Sequence, residues 1–347
     1  MVEKNKINNK TFKTMRPLVS IIVPVYNCEK RISILHKSIT EQTFRDFEII
    51  YVNDCSSDKS LDILHKIESQ YKYVKVESHS KNLGAGNARN TGLKISQGKY
   101  LCFLDADDFI NKNYLKILVN KILLSDSDIV VCNYNFISET NGKIIKSSKY
   151  KPSAYEGKDS LKIFVKNLFN PAPWNKIYTR ELFITNNIHF PERIAHQDFA
   201  TIPLLVERAK KIIVISDILY NYVQNSEGYS MTAKEIHTYS IFKAFEIIYN
   251  HFKLYSSEQL EDDRFRQIVV GRFRYNLGQR WNTFTEEHLV KYISNFVDFY
   301  NSHNWEDHNI ELVDQALLNL LKTSLIKEEY KLLIISLDNN WLDNYRR

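Results

Sequence analysis

Residues 18–25 (LVSIIVPV) form an apolar, β-branched run bounded by Pro24 and Asn27, the pattern of a buried strand feeding a turn. Ile32, Leu35, Ser38 and Ile39 follow at helical spacing, to about Gln42. Residues 47–52 (FEIIYV) predict a second buried strand, ending in the polar cluster Asn53-Asp54-Cys55-Ser56-Ser57-Asp58. Leu61, Leu64 and Ile67 mark a second helix, and 74–76 a short third strand. Residues 87–96 read as a helix, 100–104 as a strand, 115–124 as a helix and 128–132 as a strand. Strands alternating with helices over about 130 residues predict an α/β fold: a Rossmann-like, mainly parallel sheet with helices on both faces. Such sheets bind ligands beyond the C-terminal ends of their strands.

The region 134–232 is mixed. Residues 134–146 alternate around Asn141-Gly142, a hairpin signal, and 211–215 and 219–223 have the pattern of two further strands. From about Thr232 the chain reads as helix after helix, which places a boundary near 235 and an all-α region at 236–347. Within it, 264–281 carries five arginines and several aromatics. At ~100° per residue those arginines point all around the wheel, and Gly271 and Gly278 interrupt it. That favours core or interface packing, including a homodimer contact, over docking on a membrane surface.

Composition narrows the class. A length of 347 residues accommodates a large α/β domain with an appendage, and 44% apolar with 25% charged residues is a globular balance. Of the net charge of +6, residues 1–16 hold +4 (Lys4, Lys6, Lys10, Lys13 and Arg16 against Glu3), which reads as a disordered basic tail. The rest is near neutral, so nucleic acid is not an expected partner. No stretch reaches the ~18 apolar residues of a membrane span, and the polar N-terminus lacks a signal-peptide core. Four dispersed cysteines (Cys28, Cys55, Cys102, Cys132) predict neither a zinc site nor a disulfide framework, and a cytoplasmic location is expected. Glycine is scarce, nine in all, yet Gly84, Gly86, Gly92 and Gly98 fall within fifteen residues. That clustering suggests a place where a ligand approaches the backbone.

The chemistry sits at strand ends. Asp54 follows the second strand, and Asp105-Ala106-Asp107-Asp108 follows the strand at 100–104. Clustered acids repel unless a cation neutralises them, so Asp-x-Asp here suits Mg²⁺ or Mn²⁺ shared with a diphosphate. Asp108 has a second reading, as a helix or turn cap. The block 81–92 (KNLGAGNARNTG) lacks dinucleotide-fingerprint spacing. Gly92 sits within a helical pattern at a cost of about 1 kcal/mol, explained by tight helix–sheet packing. Arg89 is placed to pair with the acids or with a nucleotide.

Taken in order, Pro24-Val25-Tyr26-Asn27, 53–58, 82–92 and Asp105-Ala106-Asp107-Asp108 resemble the inverting, GT-A-fold glycosyltransferase family 2. The resemblance continues through 173–178 (PWNKIY), 180–183, Phe190-Pro191-Glu192, His196-Gln197-Asp198, Tyr222 and Ser230-Met231-Thr232, covering about 17–235. It implies a nucleotide-binding half at 17–133 and an acceptor-binding half at 134–235. It also implies a UDP-sugar donor, a Mn²⁺ or Mg²⁺ cofactor, and a glycan or lipid-linked glycan acceptor reached by peripheral membrane contact at the inner face. Carried over by position, Pro24, Tyr26 and Asp54 line the base and ribose pocket, with Asp54 facing uracil. Asn27, Asn82, Gly86 and Ala106 complete that pocket. Arg89 braces it, Asp105 lies near the ribose, Asp107 holds the metal and Asp198 is the general base. Trp174 is a candidate sugar platform or a core residue. Lys176 is a phosphate contact or a surface residue, and His196 an acceptor contact or a helix-start residue.

Two positions depart from the family pattern, Asn53 and Gln197, where an acid is usual before Asp54 and Asp198. A neutral residue at 197 predicts a more acidic Asp198 than a paired arrangement gives. The expected reaction is hexosyl or N-acetylhexosaminyl transfer with inversion, building a bacterial surface polysaccharide such as capsule, O-antigen or lipooligosaccharide. A sugar-nucleotide nucleotidyltransferase is the alternative; it needs a glycine-rich basic loop where this chain has Tyr26-Asn27-Cys28-Glu29. A third reading is an inactive nucleotide-binding protein.

Overall fold

The computed structural model describes residues 16–224, 235–261, 264–280 and short pieces between 291 and 303. The basic tail to residue 15, Ser230-Met231-Thr232, Trp281 and everything after 303, including most of the region expected to dimerise, lie outside the described residues.

Ten strands among the described residues form one sheet. Six run in one direction: β1 (Val19–Val25), β2 (Phe47–Asn53), β3 (Val74–Ser78), β4 (Tyr100–Phe103), β6 (Ile129–Ser138) and β10 (Ile212–Gln224). Against them run β5 (Phe109–Ile110), β7 (Ile144–Ser147), β8 (Ser153–Tyr155) and β9 (Lys176–Thr179). The order is β3-β2-β1-β4-β9-β6-β10-β5, with β7 on β6 and β8 on β10. The hairpin expected at Asn141-Gly142 is the β6–β7 pair.

Two features differ from the sequence reading. The segments 211–215 and 219–223 are one strand, β10, whose register with β6 slips between Val214 and Ile218. Such a bulge breaks the apolar pattern without ending the strand. β9 enters antiparallel between β4 and β6. It has only four residues and begins with a lysine, so its sequence carries no strand-length apolar run.

The helices are α1 (Ile32–Thr40), α2 (Ser60–Gln70), α3 (Ala85–Ile95), α4 (Tyr114–Ser125), α5 (Ser160–Val165), α6 (Arg180–Thr185), α7 (Gln197–Arg208), α8 (Glu235–Tyr255) and α9 (Arg264–Arg280). Side chains alternate along a strand. In β1, Ile21, Val23 and Val25 therefore join one apolar cluster and Ile22 joins the other. Both faces are covered, which explains the unbroken apolar runs of the parallel strands. Ile22's cluster extends through Phe199 and Leu205 of α7 to Phe242, Phe245 and Phe252 of α8 and Phe265, Val269 and Phe273 of α9. The helices after 235 thus share a core with the sheet. Arg266 of α9 is buried, in keeping with the packing reading of that segment. No helix among the described residues is long and apolar enough to cross a membrane.

The glycine cluster has a different cause from the one expected. A Cβ on Gly92 would lie 2.4 Å from the Ile22 side chain, and one on Gly98 would lie 2.5 Å from the Ser20 backbone nitrogen. These glycines let α3 and its exit close on β1. Gly92 keeps its packing explanation, and Gly98 shares it, whereas Gly84 has open space where a Cβ would stand.

Candidate active site

The C-terminal ends of β1, β2 and β4 meet the starts of α3 and α7 along one rim. After β1, Tyr26 is half exposed and Asn27 takes a left-handed turn at φ 51°, its Oδ1 accepting the Ser57 amide at 2.8 Å. Pro24 lies within the ladder beside Val52 and is buried. Asp54 is 2% exposed, and its amide donates to the Val25 carbonyl. Its carboxylate accepts from His79 Nδ1 (2.7 Å), Leu83 N (2.8 Å) and Gly84 N (2.7 Å). Gly84, at φ 88°, caps α3. A carboxylate therefore occupies the positive end of that helix and pins the loop, with His79 held from behind by Thr91.

Asn82 stands exposed at the loop's tip. Gly86, expected to admit the nucleotide, instead admits α7. A Cβ there would meet Gln197 Oε1 at 2.4 Å and the Pro191 carbonyl at 2.9 Å. The glycine requirement comes from a protein contact that joins the α3 start to the helix bearing Asp198.

Arg89 organises the acids. Its side chain is 3% exposed, donates to Asp105 at 2.6 Å and Asp198 at 2.9 Å, and lies 5.5 Å from the Phe190 ring centroid. Of the two partners left open by the sequence, the structure shows the acids. Ala106 is buried in the turn between Asp105 and Asp107. Asp198 remains 33% exposed at the cleft yet is pushed up to about 6, first by burial and then by Asp105, with Arg89 opposing. Removal from water is the largest effect on this carboxyl.

Asp108 is neither helix cap nor ligand. It is buried, and its carboxylate accepts from Tyr220 OH (2.5 Å) and the Val223 amide (2.7 Å). The Tyr220 hydroxyl in turn accepts the Asp105 amide at 3.3 Å. β10 therefore clamps the acidic turn.

Asp107 is the acid that the protein leaves for something else. Its side chain opens to solvent from a recess whose walls, with Asp105 next, push it up to about 6. Asp105 is engaged by Arg89 and Asp108 by Tyr220, so Asp107 alone of the DADD acids lacks such a partner among the described residues. No group of three or more His, Cys, Asp or Glu among the described residues is arranged to hold a metal. This donor set fits a divalent cation completed by substrate oxygens and does not fit a metal caged by protein.

Three candidates on the acceptor side resolve differently. Trp174 is 6% exposed, stacks on Tyr220 (4.4 Å, 19°) and Tyr222 (5.5 Å, 16°), and meets Tyr134 edge-on. It is a core residue and offers no sugar platform. Lys176 is neither on the surface nor at a phosphate. It is fully buried, with Nζ donating to the carbonyls of Asn170 (2.9 Å) and Ala172 (2.7 Å) and to Asn175 Oδ1 (2.7 Å). Burial pulls its ammonium down to about 7, against the pull of Cys132 and Asp198. His196 starts α7, its carbonyl accepting the Ala200 amide.

Sequence reasoning missed His79, Tyr220 and Asn90; Asn90 exchanges two hydrogen bonds with the Phe190 backbone. Each acts through contacts far along the chain, which local pattern does not display.

A mixed sheet of this order, with an Asp-x-Asp turn after β4 facing an acid on a later helix, defines the GT-A class of folds. The chain belongs to glycosyl transferase family 2, whose family model matches residues 20–186. It is 30% identical to the glycosyltransferase GlyG of Streptococcus pneumoniae over 61% of this chain and 72% of that protein. It is 30% identical to the poly(ribitol-phosphate) β-N-acetylglucosaminyltransferase TarS of Staphylococcus aureus, over 66% of this chain and 39% of TarS. It is 31% identical to the poly(ribitol-phosphate) β-glucosyltransferase of Bacillus spizizenii, over 73% of this chain and 40% of that enzyme. The chain thus spans about two fifths of the length of those two enzymes. The solved structure of S. aureus TarS 1–349 with UDP-GlcNAc superimposes with a TM-score of 0.72 at 26% identity, covering 89% of this chain and 87% of that one.

Proposed function

We propose that this family 2 glycosyltransferase moves a hexose or N-acetylhexosamine from a UDP-sugar to a hydroxyl of a bacterial surface glycan, with inversion to a β-linkage. The observation that carries the reading is the Arg89 bridge, in which one buried guanidinium holds both Asp105 of the acidic turn and Asp198 of α7. Asp198 takes the proton from the acceptor hydroxyl while that oxygen attacks the anomeric carbon. The carbon–oxygen bond to the diphosphate breaks, and its electron pair leaves with UDP. Arg89 orients the base and keeps it more acidic than burial alone would. Mg²⁺ or Mn²⁺ on Asp107 would supply positive charge for the leaving diphosphate.

TarS binds UDP-GlcNAc in its solved structure, and two relatives carry names that place them on poly(ribitol-phosphate). Both support a UDP-linked donor and a surface-glycan acceptor here; use in the cytoplasm at the inner membrane face is part of the proposal. The nucleotidyltransferase alternative loses support from the first loop, where Asn27 is tied to Ser57 instead of opening a phosphate cradle. A UDP-release assay over UDP-Glc, UDP-Gal, UDP-GlcNAc and UDP-GalNAc, with Mn²⁺ and a panel of glycan acceptors, tests the proposal. One donor should give acceptor-dependent release that EDTA abolishes. UDP binding without release from any donor would favour the inactive nucleotide-binding reading.

A further inference from the structure

Among the described residues, β7 pairs with β6 alone, through the turn at Asn141-Gly142. That turn satisfies its own backbone: the Gly142 amide donates to the Ser138 carbonyl and the Ser138 amide to the Lys143 carbonyl, each at 2.8 Å. Ile144 and Ile145 follow it, 60% and 54% exposed. Side chains alternate along a strand, so these two isoleucines stand on opposite faces of the ribbon. A strand packed on a core hides at least one face, whereas β7 is exposed on both at this point.

The charges around the pair have one sign. Lys143, Lys146, Lys149 and Lys151 are exposed, and residues 134–155 hold a single acid, Glu139. Glu139 is paired with Arg31 at 2.7 Å. Arg31 directly precedes α1, and both members of the pair act on the Asp107 carboxyl. The ribbon is therefore rooted at the same rim as the acidic turn. Aliphatic side chains ringed by lysine do not match the core of a protein interface, which is rich in aromatics and poor in lysine. A second copy laid edge to edge on β7 would bring like charges together, which is how lysines guard a free strand edge. An anionic lipid surface suits both features, because the isoleucines enter the headgroup boundary while the lysines stay among the phosphates.

We infer that the β6–β7 hairpin docks on the anionic face of a lipid bilayer through Ile144 and Ile145, with the flanking lysines on the headgroups. The inference rests on the surface-glycan reading and adds to it the part of the molecule that meets the membrane. It holds the Asp107 rim next to the lipid face, where a lipid-linked acceptor is presented.

Sedimentation of the full chain with vesicles tests this, using phosphatidylcholine alone and phosphatidylcholine mixed with phosphatidylglycerol. The wild-type chain should bind the mixed vesicles at least about tenfold more tightly than the neutral ones, and added salt should shrink that gap. Ile144→Ser combined with Ile145→Ser should weaken binding to the mixed vesicles at least about tenfold. Lys143→Gln combined with Lys149→Gln should remove most of the preference for mixed vesicles. All four positions are exposed, so the thermal midpoint should not move. The basic segment at 1–16 is a rival source of attraction. A chain carrying Lys4→Gln, Lys6→Gln, Lys10→Gln and Lys13→Gln should still bind mixed vesicles in an isoleucine-dependent way.

A wild-type chain that ignores mixed vesicles or binds both kinds alike would overturn the inference. So would an isoleucine double variant that binds as wild type, or binding that vanishes with the 1–16 lysines alone. A wild-type dimer in solution that the isoleucine changes split would overturn it too, by assigning the patch to a second copy. UDP release with a soluble acceptor is read in parallel and should be unchanged in the isoleucine variant. Hairpin-dependent vesicle binding with no UDP release from any donor would sink the glycosyl-transfer reading and leave the dock standing. UDP release from a chain that ignores vesicles would sink only the dock.

Discussion

Arg89 holds two carboxylates with one buried guanidinium, so its planar fork matters as much as its charge. A lysine keeps the charge but cannot reach both acids in fixed geometry. Arg89→Lys should lower kcat/KM by about ten- to a hundredfold in steady-state assays, and unchanged kinetics would show that the bridge is incidental. Asp198, pushed up to about 6, must be ionised to accept a proton. Activity should therefore be level above that pH and fall as pH drops through about 6, well above the ordinary aspartate range. A pH–rate profile flat to pH 4.5 would remove Asp198 as base. At this scale Asp105, Asp107 and Arg89 were legible because they follow a strand or sit in the glycine-rich block, whereas Asp198 was placed by the family resemblance alone. Lys176 was misread, and the sequence leaves Trp174 open between a sugar platform and the core position it occupies, for a common reason. Their burial is made by Tyr220, Tyr222, Asn170 and Ala172, partners whose approach depends on β9 and β10 lying where they do.

Among elements, α3 is placed by closeness as well as by pattern. Gly92→Ala gains about 1 kcal/mol of helix propensity. It also forces a methyl to within 2.4 Å of Ile22, a fully buried side chain on a central strand that has no room to move. Overpacking of this kind costs about 1–3 kcal/mol, so the clash should win and the thermal midpoint should fall by several degrees. A raised midpoint would mean that the contact relaxes freely. The parallel strands and their helices were readable because their apolar runs are long and alternate with helical spacing. β9 was not, since four residues inserted between two longer strands draw their strand character from neighbours on both sides. β10 was read as two strands because the slip near 215–218 exposes part of it.

For the whole molecule, one apolar cluster runs from the sheet through α7 into α8 and α9. A chain ending at 235 strips Phe242, Phe245, Phe265 and Phe273 from Phe199 and Leu205. It should lose its cooperative thermal transition and aggregate, as large apolar areas exposed to water do. A soluble, cooperatively folding 1–235 would show that the helical region folds apart from the sheet. The sequence placed a boundary there because the pattern turns wholly helical, and helical pattern alone does not say what a helix packs against. The central claim is that this molecule transfers a sugar with Asp198 as base on one side of the cleft and the Asp107 turn on the other. Asp198→Asn tests it most directly, with acceptor-dependent UDP release and UDP affinity measured side by side. The account predicts at least about a hundredfold loss of release with UDP affinity within about twofold of wild type. An Asp198→Asn enzyme that transfers at the wild-type rate would contradict it.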